Sequence, residues 1–326
     1  MFEIKKIEIE VSTLCNAKCS GCMRTMLDER QEKYLKKYLD FADIHRWFND
    51  INLKDVNLKL CGVLGDPITN LDLEDIIFYF LYEKNVKTIE MSTNGGTRSG
   101  NFWQSLGQMS KNSKDRFYIH WAIDGVKTNF YRENVSLEKV WENVNSYHST
   151  GGKSVWQFII FDYNEHEIED ARNIAKKNNM KFATRKSWRN TLGTAKFKSQ
   201  QSKMDLNYEV IEHKAYTLNY ENPNILCRHK TDNEIYIGVD GRVWPCCHLY
   251  DEIVSKEAEQ IRKVLMKMGK DFNNLYVNKL TDIVESSWYS RILEESWKKN
   301  HELHIPRCYL TCGDKGKRSV IKNMEF

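Results

Sequence analysis

The sequence predicts an α/β fold, with a parallel sheet built from six successive βα repeats and a smaller cysteine-rich region after it. Three observations carry that expectation. Strand-like and helix-like segments alternate at regular spacing through the first half of the chain; the connections after the strands are polar and rich in glycine; and the cysteines fall into an N-terminal and a C-terminal group. Repeated βα units require parallel strands, arranged either as a partial barrel or as a doubly wound sheet.

Taken in order, Ile4 to Val11 reads as the first strand. Ile44, Trp47, Phe48 and Ile51 then fall at helical spacing, and Val56 to Leu60 returns to strand-like alternation. Asn70 to Glu83, with Ile76, Ile77, Phe80 and Leu81, forms the next helix, and Lys87 to Ser92 the third strand. A short helix near Phe102 to Met109 leads to the fourth strand, Phe117 to Ile123, and Leu137, Val140, Trp141 and Val144 mark the helix after it. Val155 to Phe161 is almost continuously apolar, which suits a strand covered on both faces. Glu165 to Lys177 reads as a helix and Lys181 to Arg185 as the sixth strand. The polar stretch Lys198 to Asn207 marks the expected boundary between domains 1–204 and 205–326. Beyond it, EIYIGVDGRVWPCC has the form of a hairpin. The segment Thr281 to Trp297 predicts a helix with Val284, Trp288 and Ile292 on its apolar face and Thr281 as its cap.

Composition narrows the class. With 326 residues, 41% of them hydrophobic and 12% aromatic, the chain can bury a large core and is not a disordered one. No apolar block resembles a signal peptide or reaches the length of a membrane span. Nine cysteines, an odd number, in a large chain without an export signal argue for reduced, metal-binding thiols in the cytoplasm rather than a disulfide scaffold. The formal charge of +4 does not by itself call for nucleic acid, yet Ala171 to Met204 holds ten Lys or Arg and no acid, with Phe182, Trp188 and Phe197 interleaved. A solvated basic face is one reading of that stretch and a contact for an anionic substrate or partner is the other.

The connections after the strands carry the chemistry. The loop CNAKCSGC follows strand one, CGVLGDP follows strand two, STNGG follows strand three and AIDG ends strand four. In a parallel barrel these ends share one rim, the face on which such barrels keep their active sites. In the first loop Cys15, Cys19 and Cys22 have CxxxCxxC spacing. Three thiolates leave a cubane iron-sulfur cluster one ligand short, and an iron with an open position can bind a small molecule. Spacing alone also leaves open a zinc site, half of a disulfide framework or three unrelated cysteines.

CxxxCxxC at the end of a first strand resembles the signature of the radical S-adenosylmethionine (radical SAM) enzymes, and the C-terminal cysteines resemble the SPASM and twitch extensions of that superfamily. The resemblance implies a partial (β/α)6 TIM-like barrel with a smaller C-terminal cysteine-rich α+β cap. It implies that Cys15, Cys19 and Cys22 hold a [4Fe-4S] cluster whose open iron is chelated by S-adenosylmethionine. Reductive cleavage of that cofactor then yields a 5′-deoxyadenosyl radical, which abstracts a substrate hydrogen.

Further residues follow from the same resemblance. Gly65, Asp66 and Pro67 are similar to the GGEP turn that meets the cofactor's amino group, with Asp in place of Glu, one methylene shorter. Thr93 and Asn94, followed by Gly95, match the TNG element near the ribose and methionine, and Asp124 with Gly125 matches the IDG element. Taken alone, Gly65–Pro67 and Thr93–Gly95 also read as ordinary turns. Arg132 falls where related enzymes set an arginine against the cofactor carboxylate, a group its planar fork can hold bidentately; a surface salt bridge is the alternative. The position before the third cysteine, usually an aromatic that packs on the adenine, is Gly21, so Met23 or an aromatic from another strand end would cover the adenine. Cys61 reads as a buried residue beside the cofactor turn.

Cys227, Cys246, Cys308 and Cys312 are the ligands this resemblance assigns to one auxiliary [4Fe-4S] cluster, the count that suits the shorter twitch type. Cys247 could replace its neighbour Cys246, although adjacent residues of an extended segment point to opposite sides. By residue type alone zinc remains open here, because His229, His248, His301 and His304 lie near these cysteines.

The functional expectation is a radical SAM enzyme acting on a peptide or protein, with no catalytic side chain of its own assigned and a reductant such as flavodoxin or ferredoxin. A leader peptide would be presented by a separate partner or bound by the barrel. The runner-up is a nucleotide or other phosphorylated small molecule, favoured by the basic stretch. A non-enzymatic zinc or iron-sulfur protein that binds nucleic acid is the reading from another class. No membrane partner is expected.

Overall fold

The computed structural model describes residues 2–186, 224–254 and 259–313. Internal contacts divide the chain into one unit of Ile9–Ser202 and a smaller one that joins Met1–Glu8 to Lys203–Phe326. The first eight residues therefore group with the C-terminal segment, whereas the sequence assigned them to the first domain. The expected boundary at Lys198 to Asn207, and the basic stretch beyond Lys186 with Trp188 and Phe197, lie outside the described residues.

The strands β1 (Lys6–Ile9), β2 (Asn57–Leu60), β3 (Thr88–Thr93), β4 (Phe117–Ala122), β5 (Ser154–Ile160) and β6 (Lys181–Lys186) lie in the order β6-β5-β4-β3-β2-β1. The pairs from β2 to β6 are all parallel. Among the described residues β6 forms an edge, so this is an open, partial barrel and not a closed one. Helices α1 (Met23–Glu29), α2 (Phe41–Phe48), α3 (Leu73–Phe78), α4 (Gly100–Asn112), α5 (Leu137–Ser149) and α6 (Ile168–Lys177) alternate with the strands.

Strand periodicity decides how the helices sit. Residues two apart share a sheet face, and one face is apolar: Leu58, Leu60, Ile89, Met91, Ile119, Trp121, Trp156 and Phe158 are all buried. Aromatic rings seal it to the helices, with Trp103 of α4 at 4.8 Å and Tyr147 of α5 at 5.8 Å from Trp121, and Trp141 of α5 at 5.1 Å from Trp156. Phe182 of β6 completes this row, 5.7 Å from Trp156, with the Arg172 guanidinium 5.3 Å above it, so it is a packing residue.

Some local expectations needed the tertiary context. α1, directly after the cysteine loop, is seven residues long and buries Arg24, Thr25 and Leu27, only one of them apolar, so its buried residues form no apolar stripe that marks a helix. Of the helix expected over 70–83, Leu73–Phe78 forms α3 and Tyr79–Glu83 a π turn; a separate 3₁₀ turn, Pro67–Thr69, precedes them and ends at Asn70, whose ψ of 126° is extended.

In the smaller unit, α7 (Arg228–Thr231) precedes the antiparallel hairpin of β7 (Glu234–Ile237) and β8 (Val243–Trp244), which is followed by α8 (Cys247–Val254) and α9 (Glu259–Met268). The backbone N–H groups of Lys5 and Lys6 both donate to the carbonyl of Asn233, and Lys6 pairs with buried Glu234 at 3.1 Å. These bonds explain why the N-terminus groups with this unit. The helix expected from Thr281 to Trp297 is broken: α10 (Leu280–Glu285) stops at Ser286, whose ψ of 160° is extended, and a π turn at Trp288–Ile292 leads into α11 (Leu293–Glu295). The break falls at the serine pair Ser286–Ser287. The N-cap of α10 is Lys279, and Thr281 lies inside the helix. α12 (Pro306–Cys312) closes the described chain.

Candidate active site

The site of the larger unit is assembled from the loops that follow β1 to β4. Glu10, fully buried, accepts through Oε1 from the N–H groups of Leu64 at 2.7 Å and Gly65 at 3.4 Å. Next to it the two chains run against each other: a Cβ on Gly65 would lie 1.9 Å from the Ser12 carbonyl oxygen. The Asp66 N–H donates to the Leu14 carbonyl at 2.8 Å and the Thr69 hydroxyl to the same carbonyl at 2.9 Å. The cysteine loop is thus tied to the Gly65–Pro67 turn one residue before Cys15. Gly21 adopts φ +69°, in the left-handed region that favours glycine.

Two relays connect strand-end acids to the thiols. Asp66 caps the 3₁₀ turn through Ile68 N–H at 3.2 Å, and its other oxygen accepts from Asn94, from the backbone N–H at 2.8 Å and from Nδ2 at 2.7 Å. Asn94 Nδ2 also reaches Cys15 Sγ at 3.6 Å. Thr93 is bonded to Asp66 and holds the Gly95 N–H at 3.0 Å. On the other side Asp124, with no solvent exposure, accepts from Arg132 Nε at 2.8 Å and from the Ile159 N–H at 2.7 Å. Arg132 Nη1 lies 3.8 Å from Cys19 Sγ. Arg132 is therefore not a surface ion pair. Burial works against its charge, but Asp124 and the Cys19 sulfur outweigh it and its pKa is raised. Both Asp124 oxygens are engaged inside the protein, so this residue stands behind Arg132. Asp66 is likewise turned inward, and burial raises its pKa against the opposing hydrogen bonds from Asn94, Thr93 and Ile68.

Sequence reasoning missed the supports. Glu10 was hidden in the expected strand Ile4 to Val11, which also carries Glu8, and Glu167, which accepts from Val126 N–H at 2.7 Å, lies far along the chain. Arg24, two residues after Cys22, is buried, donates to the Ala17 carbonyl and to Asp28, and lies near Cys15 and Cys22. Its place beside the last cysteine was the signal that could have found it. Cys61 is half-buried, not buried as expected, because it lies just past β2 where the chain turns towards Gly62.

These residues fit a cluster held by thiolates. Burial, reinforced by Asp66, pushes the Cys15 thiol up to about 12, and metal ligation replaces the proton that burial retains. Asn94, Arg132 and Arg24 bring donors or positive charge to the sulfurs, the environment a ligated thiolate needs.

In the smaller unit Cys246 is surrounded by the others. Burial, then the Cys308, Cys227 and Cys312 sulfurs, raises its pKa well above the ordinary value. Cys308 and Cys312 stand one turn apart on α12, and the Leu226 N–H donates to the Cys312 carbonyl at 2.8 Å, which brings Cys227 alongside. Cys247 opens α8 and lies near Arg228. Two histidines are committed elsewhere: His229 Nδ1 to the Glu234 carbonyl at 3.0 Å, with its ring stacked on Phe2 at 4.5 Å, and His301 Nδ1 to the Leu303 N–H at 3.2 Å. Among the described residues, no three His, Cys, Asp or Glu gather around a centre the size of a single ion.

Comparison with known families agrees with this architecture. The profile of the radical SAM superfamily matches residues 9–175, and that of an iron-sulfur cluster-binding domain, SPASM, matches residues 227–313. The chain belongs to the radical SAM superfamily, enzymes that use a [4Fe-4S] cluster with S-adenosylmethionine, and its C-terminal part belongs to the iron-sulfur-binding extensions. It is 25% identical over 285 residues to a GTP 3′,8-cyclase of Helicobacter pylori strain J99, covering 78% of this chain and 84% of that protein. It is 24% identical over 324 residues to the protein of the same description from strain 26695, covering 88% and 96%. Among solved structures, Streptococcus suis SuiB bound to precursor peptide SuiA superposes with a TM-score of 0.60 at 15% identity, covering 90% of this chain and 67% of SuiB. SuiB bound to S-adenosylmethionine gives 0.54 at 15% identity over 76% of this chain, which there spans only 61% of SuiB. The structure of anSMEcpe with bound AdoMet gives 0.54 at 12% identity, covering 90% and 84%. At these identities the structures share the fold. No described helix is long and apolar enough to cross a membrane.

Proposed function

We propose that Cys15, Cys19 and Cys22 hold the cluster that binds S-adenosylmethionine, that Cys227, Cys246, Cys308 and Cys312 hold one auxiliary [4Fe-4S] cluster, and that the enzyme begins its reaction by abstracting a hydrogen atom from its substrate. The observation that carries this reading is the pair of relays, Asp66–Asn94–Cys15 and Asp124–Arg132–Cys19. When bound, the cluster and S-adenosylmethionine supply one electron and a 5′-deoxyadenosyl radical. The chain's own residues bind and orient. Arg132, fixed by Asp124, presents its remaining N–H groups to an anionic group such as the cofactor carboxylate. The Gly65–Pro67 turn, held against Ser12, Leu14 and Glu10, offers backbone groups to the cofactor's amino end, while Thr93 and Asn94 line the next loop. Four thiols alone suit zinc as well as a cluster; the auxiliary set is read as a cluster because residues 227–313 match an iron-sulfur cluster-binding domain, while His229 and His301 bond elsewhere.

A peptide or protein substrate remains one reading. A phosphorylated small molecule, with a reductant such as flavodoxin or ferredoxin in either case, is the second, favoured by Lys59 of β2 and Arg185 of β6, which the strand register sets on the sheet face away from the helices.

Anaerobic reconstitution with iron and sulfide, followed by reduction with S-adenosylmethionine, tests the assignment. About eight irons per chain and release of 5′-deoxyadenosine are expected. Replacing Cys15, Cys19 and Cys22 together with Ala halves the iron and abolishes the product. Four irons with 5′-deoxyadenosine formed would return the C-terminal cysteines to zinc, and zinc alone without product would sink the radical chemistry.

A further inference from the structure

The sheet face opposite the helices is not an apolar core. In register, Lys59 of β2 stands beside Glu90 of β3, and Glu90 beside Tyr118 of β4. His120 follows two residues along β4, and Gln157 of β5 and Arg185 of β6 share this face by the same register. The side chains form one network. Gln157 Nε2 is 2.7 Å from His120 Nδ1, Glu90 Oε1 is 3.8 Å from the same nitrogen, and the Tyr118 hydroxyl donates to Glu90 Oε2 at 3.5 Å. His120 is only 4% exposed.

Packing alone does not select such residues. Barrel interiors are filled by branched apolar side chains, and charged or imidazole groups are placed below a rim at a cost that another role must justify. The imidazole is held neutral: burial lowers its pKa to about 4, with Arg185 and Lys59 acting in the same sense and Glu90 against. A neutral ring whose Nδ1 is taken by the Gln157 amide carries its proton on Nε2, a donor for a bound molecule.

We propose that Lys59, Glu90, Tyr118, His120, Gln157 and Arg185 form the floor of the substrate site, taking a small organic anion whose phosphate or carboxylate is held by Lys59 and Arg185 and whose neutral polar part is read by His120, Gln157 and Glu90. The proposal rests on the radical SAM reading of the rim above and names the substrate class for it. The scale agrees. His120 and Asp124 are four residues apart on one chain path, about 13 Å at strand rise, so a molecule of nucleotide size placed with its anion on the floor reaches the rim where the hydrogen is taken. A peptide would have to insert a long acidic side chain to make the same contacts.

The test is calorimetric titration of the reconstituted holoenzyme with inorganic phosphate, inorganic triphosphate, GTP, succinate and a glutamate-rich peptide. Binding of at least one small anion is expected, weakened at least about tenfold by Lys59→Met and by Arg185→Met, kept within a few-fold by Lys59→Arg and Arg185→Lys, and untouched by Lys139→Met on the exposed side of α5. Thermal melts of each variant separate lost binding from lost fold. Phosphate or triphosphate binding identifies a phosphorylated substrate, and succinate binding a carboxylate. Binding of the peptide alone, no binding by any probe, or binding indifferent to both methionine variants overturns the proposal. Release of 5′-deoxyadenosine by the same preparation distinguishes the two levels: product without anion binding overturns the floor only, and absence of product and iron overturns the reading beneath it.

Discussion

Single residues hold the rim by close approach and by buried charge. Gly65 faces backbone, a carbonyl oxygen that cannot swing aside, whereas a Cβ on Gly62 would meet the side-chain oxygen of Glu10 at 2.6 Å. Gly65→Ala is expected to destabilise the protein by more than about 2 kcal/mol and to lower iron loading, with Gly62→Ala milder, as read by denaturant unfolding. At Asp124, replacement by Asn keeps the shape and removes the charge. Arg132 is then buried without its counter-ion, a loss of about 3–5 kcal/mol. A double cycle with Arg132→Met should recover most of that loss; simple additivity would show that the pair is not coupled.

Elements carry these residues to one place. Ser136 caps α5 by accepting from the Lys139 N–H at 3.3 Å, and further along the same helix Asn143 Nδ2 donates to the carbonyls of Gly95 at 2.8 Å and Thr97 at 3.0 Å. Helix α5 therefore supports both the sheet, through Trp141 on Trp156, and the loop that presents Asn94. Ser136→Ala is expected to cost about 1 kcal/mol. Hydrogen exchange should show faster opening at the first turn of α5, and Ser136→Asp should reverse it. The parallel sheet was legible because Leu58, Leu60, Ile89 and Met91 recur at period two, a signal each strand carries by itself. The Ser286 break was not legible, because Val284, Trp288 and Ile292 keep an apolar pattern across it.

At the scale of the whole molecule, burying His120 makes stability depend on pH. Its ordinary value of 6.5 is lowered to about 4, so above pH 6.5 it is neutral folded or unfolded and adds no slope. As the pH falls from about 6.5 to about 4, the unfolded chain takes up a proton that the folded chain refuses, and up to about 3 kcal/mol is lost. The facing groups set the size of the effect: Glu90 favours the charged ring, Lys59 and Arg185 oppose it, and Gln157 holds Nδ1. His120→Gln should flatten the dependence of the unfolding free energy on pH across that window; an unchanged slope would place the acid sensitivity elsewhere.

The sequence by itself determined the kind of protein, through the thiol spacing of Cys15, Cys19 and Cys22, the strand and helix periods, and the turns that follow the strands. These are local signals, written within a few residues of one another. Tertiary structure alone decided that Asp66 holds Asn94 against Cys15 and Asp124 holds Arg132 against Cys19, partners separated by 79 and 113 residues at the sulfur contacts. It also decided that the N-terminal lysines bond to Asn233 and that one sheet face brings together polar residues from five strands. A hydrogen bond between distant segments depends on where the chain returns, and that return follows from how the helices pack on the sheet, not from any stretch read on its own.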